Sequence, residues 1–95
     1  MSMQAQLRVD SNLQSNMVLQ QNATFTVAGE ATPSEQIRVT TSWDGGVFHD
    51  VTASGNGRWS VVLNIPSATV TPQSISVQEN TTLVFDNILI GEVWL

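Results

Sequence analysis

The sequence has 95 residues, enough for one domain built on a two-layer core but not for two. Apolar residues make up 41% and charged residues 12%, the balance of a folded chain rather than a disordered one. Three arginines (Arg8, Arg38, Arg58), no lysine and eight acids give a formal charge of −5, which argues against nucleic acid or an anionic membrane surface as partner, since both need clustered basic residues.

In chain order, Leu7-Arg8-Val9 reads as a short first strand ended by Asp10-Ser11-Asn12, and Met17-Val18-Leu19-Gln20 as a second ended by Gln21-Asn22. Residues 24–28 alternate, with Phe25 and Val27 on one face and Thr24 and Thr26 on the other. Gly, Pro and Ser then predict a loop over 29–34. Alternation resumes over 36–43, where Ile37, Val39, Thr41 and Trp43 share a face.

Asp44-Gly45-Gly46 follows at once, the strongest hairpin signal in the chain, because these residues tolerate the positive φ of a tight turn. Residues 47–53 form the return strand. Gly55-Asn56-Gly57 predicts a second hairpin turn, into a strand in which Trp59, Val61 and Leu63 face one way. Residues 66–72 read as a looser connection. Residues 74–78 then turn at Glu79-Asn80 into 82–85, which runs on to the closing stretch Asn87-Ile88-Leu89-Ile90-Gly91-Glu92-Val93-Trp94-Leu95. Seven or eight short strands at this spacing, with no helical period, predict an all-β, antiparallel sandwich of the immunoglobulin or fibronectin type. The closing run is the longest apolar stretch and has no turn residue after it, which is expected of a strand leading into a further domain. The expected division is a sandwich over 1–87 and a linking strand over 88–95.

Chemistry is sparse. No run reaches the roughly 18 apolar residues of a spanning helix, and residues 1–6 lack the pattern of a signal peptide. A surface rich in Ser, Thr, Asn and Gln fits a secreted or periplasmic protein, any export signal lying outside this sequence. With no cysteine there is no disulfide or thiolate metal site. The acids form no dense Asp-x-Asp-x-Asp pattern, so no metal or cofactor is expected.

His49 is the single histidine. Its neighbour Asp50 points to the opposite face of the strand, so the pair does not make a catalytic dyad, and His49 reads as an ordinary strand or rim residue. Trp43, beside the Asp44 turn, has two readings: a core filler, or an exposed ring on which a sugar stacks with help from Asp44. Asn22-Ala23-Thr24 and Asn80-Thr81-Thr82 match the glycosylation sequon, a match expected by chance in a chain of this composition.

Three separated stretches share one resemblance. Ser15-Asn16-Met17-Val18-Leu19-Gln20-Gln21 and Gly57-Arg58-Trp59-Ser60-Val61 resemble parts of the sialate O-acetylesterases and related carbohydrate esterases. The closing residues 87–95 resemble the segment that leads into their catalytic domain, where the family continues with Cys-Ser-Gly-Gln-Ser-Asn-Met and the serine after Gly-Gln is the nucleophile of an SGNH-type hydrolase. Gln14-Ser15-Asn16-Met17 mimics that motif, but Leu13 stands in place of the glycine, and the following residues read as a strand where the nucleophile needs a strand-to-helix turn. Ser15 is therefore expected to be a turn residue.

The resemblance implies a non-catalytic N-terminal sandwich of an enzyme that removes O-acetyl groups from sialic acid or a related sugar. No position here matches the family's catalytic Ser, His or Asp. Ile88, Leu89, Ile90, Val93, Trp94 and Leu95 would then meet the chain's own C-terminal catalytic domain. Left uncovered, that strand is expected to promote self-association through its unpaired edge. Two other readings remain open: a carbohydrate-binding module working through Trp43 and Asp44, and a ligand-free spacer or adhesion-type sandwich.

Overall fold

A computed structural model describes residues 6–93. Within them the chain forms eight strands: β1 (Arg8–Val9), β2 (Val18–Gln20), β3 (Thr24–Glu30), β4 (Gln36–Thr41), β5 (Phe48–Thr52), β6 (Arg58–Asn64), β7 (Thr69–Gln78) and β8 (Thr82–Gly91). They make two sheets, one of three strands in the order β1-β3-β6 and one of five in the order β2-β8-β7-β4-β5. The predicted all-β sandwich is what forms.

Alternation in the sequence becomes alternation of burial. In β4, Ile37, Val39 and Thr41 are buried while Gln36 is exposed, and in β6 Trp59 and Leu63 are buried between exposed Arg58, Ser60 and Asn64. Together with Val27, Ile75, Val77, Ile88 and Ile90 they fill the space between the sheets. Removing such side chains from water is the main favourable term in a domain with no disulfide to hold it.

Four local expectations are corrected. The loop expected from Gly29 begins two residues later, because β3 continues to Glu30 and Gly29 lies opposite Trp59. Glycine is needed there for space: a Cβ would lie 1.9 Å from the Arg8 carbonyl oxygen and 2.9 Å from the Trp59 ring. The Gly55-Asn56-Gly57 turn does not close a hairpin, since it carries the chain from β5 in one sheet to β6 in the other. The expected loose connection over 66–72 ends early, as β7 starts at Thr69 and absorbs Pro72 through two irregularities of register. Finally, one pair is parallel: β2 lies beside β8, with Val18, Leu19 and Gln20 opposite Leu89, Ile90 and Gly91.

That parallel pair unites two of the stretches that carried the resemblance. The Ser15 hydroxyl accepts from the Asp86 amide (2.9 Å), Asn87 Nδ2 donates to Asn16 Oδ1 (2.8 Å), and the Leu89 amide donates to the Met17 carbonyl (3.0 Å). Asn16 and Asn87 both take positive φ, 64° and 56°, a conformation that asparagine tolerates better than most residues. Ser15 is thus a turn residue whose hydroxyl is bound to backbone.

The expected division after residue 87 falls inside β8. Ile88 and Ile90 are buried in the sandwich's own core, with relative exposures of 0% and 3%. As candidates for meeting another domain they are corrected to core residues, whereas Leu89 and Val93 remain exposed. Trp94 and Leu95, the other two candidates, lie outside the described residues.

Candidate functional site at the β4–β5 hairpin

The β4–β5 hairpin pairs Thr40 with Phe48 and Val39 with His49, and Gly45 and Gly46, at φ 73° and 84°, reverse the chain between them. Trp43 sits just past the end of β4, in the turn rather than in the strand expected to reach it. Its ring packs against the core, and its Nε1 donates to the Asn64 carbonyl at the end of β6 (3.3 Å). Trp43 therefore ties the hairpin of the five-stranded sheet to the three-stranded sheet while part of its ring stays in contact with solvent.

The partner of His49 is Asp44, not Asp50. His49 Nε2 lies 2.7 Å from Asp44 Oδ2, with both side chains about three-quarters buried. A carboxylate only accepts, so Nε2 must carry the hydrogen in this contact. Burial pushes the Asp44 carboxyl up. Hydrogen bonds from His49 and the Thr41 hydroxyl, the His49 charge and the Val47 amide outweigh that and hold it below the usual carboxylate range. Thr41 Oγ1 and Asp44 Oδ1 are both buried and reach no partner in regular hydrogen-bonding geometry, although the hydroxyl stands close enough to stabilise the carboxylate.

Trp43, Asp44, Val47, His49, Leu63 and Asn64 line a half-open recess of about 280 Å³. A shallower depression of about 340 Å³ lies farther along the β5–β6 seam, lined by Val51, Thr52, Arg58, Trp59 and Ser60. Trp59 is only 3% exposed and offers no ring face to a ligand, and Arg58 is engaged by Asp10 through two contacts of 2.9 and 3.2 Å. The hairpin recess is the better-equipped of the two. Asp50 belongs to another arrangement on the outer face, where Arg38 grips it through Nε and Nη2 (2.9 and 3.1 Å) and lies 3.9 Å from the Phe48 ring centre. The Arg38 guanidinium holds the Asp50 carboxyl below its ordinary range, as Arg58 does for Asp10.

Both sugar-site candidates, Trp43 and Asp44, therefore share one recess, joined by His49 and Asn64, which the sequence reading did not assign to it. The available signal was the hairpin itself, because a turn centred on Gly45-Gly46 folds Asp44 back toward the start of the return strand. Among the described residues, no cluster of three or more His, Cys, Asp or Glu side chains could hold a metal ion.

The second candidate region is the β2–β8 edge. Val18 and Leu89 are register partners, 45% and 42% exposed, and Val93 is 42% exposed close by. Side chains of Gln20 and Gln21 both donate to the Glu92 carboxylate, the Val93 amide donates to Gln20 Oε1 (3.0 Å), and the Ala68 amide donates to Gln21 Oε1 (2.9 Å). These contacts fix the path of the chain as it leaves β8.

A two-layer, all-β sandwich with a tryptophan-lined recess at one hairpin is the class that fold and site define. No protein-family model matches the chain, and no curated protein matches it. Among solved structures it is similar to the crystal structure of XAC1771, a novel carbohydrate acetylesterase from Xanthomonas citri, with 28% sequence identity and a TM-score of 0.82. The match covers 93% of this chain and 20% of that one, so the present chain spans about a fifth of the length of its structural neighbour.

Proposed function

We propose that this chain is a non-catalytic accessory sandwich of a carbohydrate esterase, one that removes O-acetyl groups from sialic acid or a related sugar. The observation that carries the reading is the pairing of 93% coverage of this chain with 20% coverage of a carbohydrate acetylesterase. The stretches 15–21 and 87–93 add support, because the parallel β2–β8 pair gives their side by side position a structural purpose. The strand order β1-β3-β6 over β2-β8-β7-β4-β5 supports classing the sandwich as immunoglobulin-like. A secreted or periplasmic setting goes with this reading.

In this reading the domain supports its partner mechanically. Val18, Leu89 and Val93 would pack against the SGNH-type catalytic domain, while Glu92, held by Gln20 and Gln21, sets the direction in which the chain approaches it. Left without that cover, the same patch would favour self-association. The groups near His49 fit a supporting role too: Nε2 is bound to Asp44, and the neighbouring Thr41 hydroxyl is buried away from any substrate. The test is acetate release from an O-acetylated sialoside and from acetylated neutral glycans. The purified chain should match a buffer blank, and steady turnover of either substrate would overturn the proposal. Reading the gene beyond the codon for Leu95 supplies the positive arm, where a Gly-Gln-Ser-Asn-Met-like segment is expected.

A further inference from the structure

We infer that the recess at the β4–β5 hairpin is a subsite for one neutral sugar ring, so that the accessory domain also holds glycan for the enzyme it serves. The inference rests on the accessory reading, and its argument comes from the recess itself.

Size comes first. At about 280 Å³ the recess lies just below the roughly 300–1,000 Å³ of pockets that enclose drug-sized ligands, which suits one ring rather than an enclosed chain. Its lining is the mixture a sugar requires. The accessible part of the Trp43 indole and the exposed Val47 side chain give an apolar wall for ring C–H groups, with buried Leu63 behind them. The indole N–H is already bonded to the Asn64 carbonyl, which fixes the ring's orientation before any ligand arrives.

Hydroxyl recognition falls to two polar side chains of the lining. The Asn64 side-chain amide offers both donor and acceptor, and Asn64 is exposed at the end of β6. His49 is the second: with Nε2 turned to Asp44, Nδ1 is the ring nitrogen left to meet a hydroxyl. Asp44 acts through His49 and is a positioning residue.

Electrostatics selects the sugar class. The Asp44 carboxyl is held in its ionised form, no arginine lines the recess, and the chain carries a formal charge of −5. A carboxylated sugar such as sialic acid would bring a second negative charge to a site with no guanidinium to receive it. A neutral pyranoside meets no such penalty.

The experiment is an NMR titration of the isotope-labelled chain with the methyl glycosides of glucose, galactose, mannose and xylose, and with N-acetylneuraminic acid. At least one neutral glycoside should give saturable shifts at the Trp43 indole, His49 and Asn64, with a Kd on the order of millimolar. Asn64→Ala should weaken that binding about tenfold, the effect of one lost hydrogen bond to a ligand. Because Asn64 is exposed, this variant should keep its fold where Trp43→Ala risks losing it, and the unchanged spectrum of distant residues verifies this. Asp44→Asn should weaken binding and change its pH dependence, which a purely structural role would leave alone. No saturable shift from any neutral glycoside, shifts confined to another face, or a stronger response to N-acetylneuraminic acid would each overturn the inference. Failure here leaves the accessory reading standing, whereas acetate release by the chain alone removes that reading whatever the recess binds.

Discussion

At one edge of the five-stranded sheet, β5 is held by the strand made immediately before it. Arg38 and Asp50 are 12 residues apart, and the turn between their strands is written in Asp44-Gly45-Gly46. At the other edge, β2 is held by β8, and Ser15 reaches an amide 71 residues away. The first edge has an ion pair, a stacked Phe48 and a recess lined by polar and apolar groups. The second joins buried Leu19 and Ile90 to a lattice of backbone and amide hydrogen bonds around Glu92. Long-range backbone and amide hydrogen bonds close the β2–β8 edge, and exposed charged and aromatic side chains collect where a local turn suffices. A site that must adapt to a ligand is best placed on the edge whose geometry needs least help from the rest of the fold.

The largest expected effect tests the buried side of the β2–β8 edge. Ile88→Ala should lower stability by about 2–5 kcal/mol in urea denaturation, because it opens a cavity at a position with no exposure. Leu89→Ala, one residue on and outward-facing, should stay within about 0.5 kcal/mol. Equal losses would mean that β8 does not separate a core face from a free one. Sedimentation adds a second readout, since a self-associating patch should weaken in Leu89→Ala and a monomer at all concentrations would remove that expectation.

A smaller effect is expected at the hairpin. Because the Asp44 carboxyl is held below its unfolded-state value, its stabilisation is complete above the ordinary carboxylate pKa of about 3.9 and is lost as pH falls through the lowered folded value. The stability gap between the parent chain and Asp44→Asn should therefore be widest at neutral pH and close toward pH 2, measured by urea denaturation across that range. A gap that widens on acidification would contradict the hydrogen-bonded, ionised carboxylate.

Gln21→Ala should cost about 1 kcal/mol, since it removes a contact to Glu92 and one from the Ala68 amide. Hydrogen exchange should report the change locally, at Ala68 and Val93. Arg38→Gln should have the smallest effect of the series, confined to low ionic strength, because the pair with Asp50 is exposed. A large loss persisting in high salt would show that the two edges are more alike than their geometry indicates.

How much of this was legible in the sequence follows the same division. Strand alternation at Phe25, Val27, Ile37 and Val39 and the turn at Asp44 depend on near neighbours, and they survive in the structure. Partner choice depends on the whole chain. Nothing near Val18 states that its neighbour is Leu89, or that the two strands run parallel. Gly29 reads as a loop residue on composition, and only the approach of the Arg8 carbonyl explains why a strand needs it. The Gly55-Asn56-Gly57 turn was visible, but its choice between returning along the same sheet and crossing to the other was not. At the candidate site, Trp43 and Asp44 were identifiable from their place beside the turn. Asn64 was not, because it arrives from the opposite sheet.

The parallel β2–β8 pair also governs the order in which the molecule assembles. During synthesis the β4–β5 hairpin can close as soon as its own residues emerge, whereas β2 has no sheet partner until β8 has been made. Loop closure over such a separation is entropically costly and slows folding. The segment around Ser15 to Gln21 therefore waits without its sheet partner while the residues up to β8, 71 positions on at Asp86, are made, and the nascent chain offers it to proteases and chaperones over that interval.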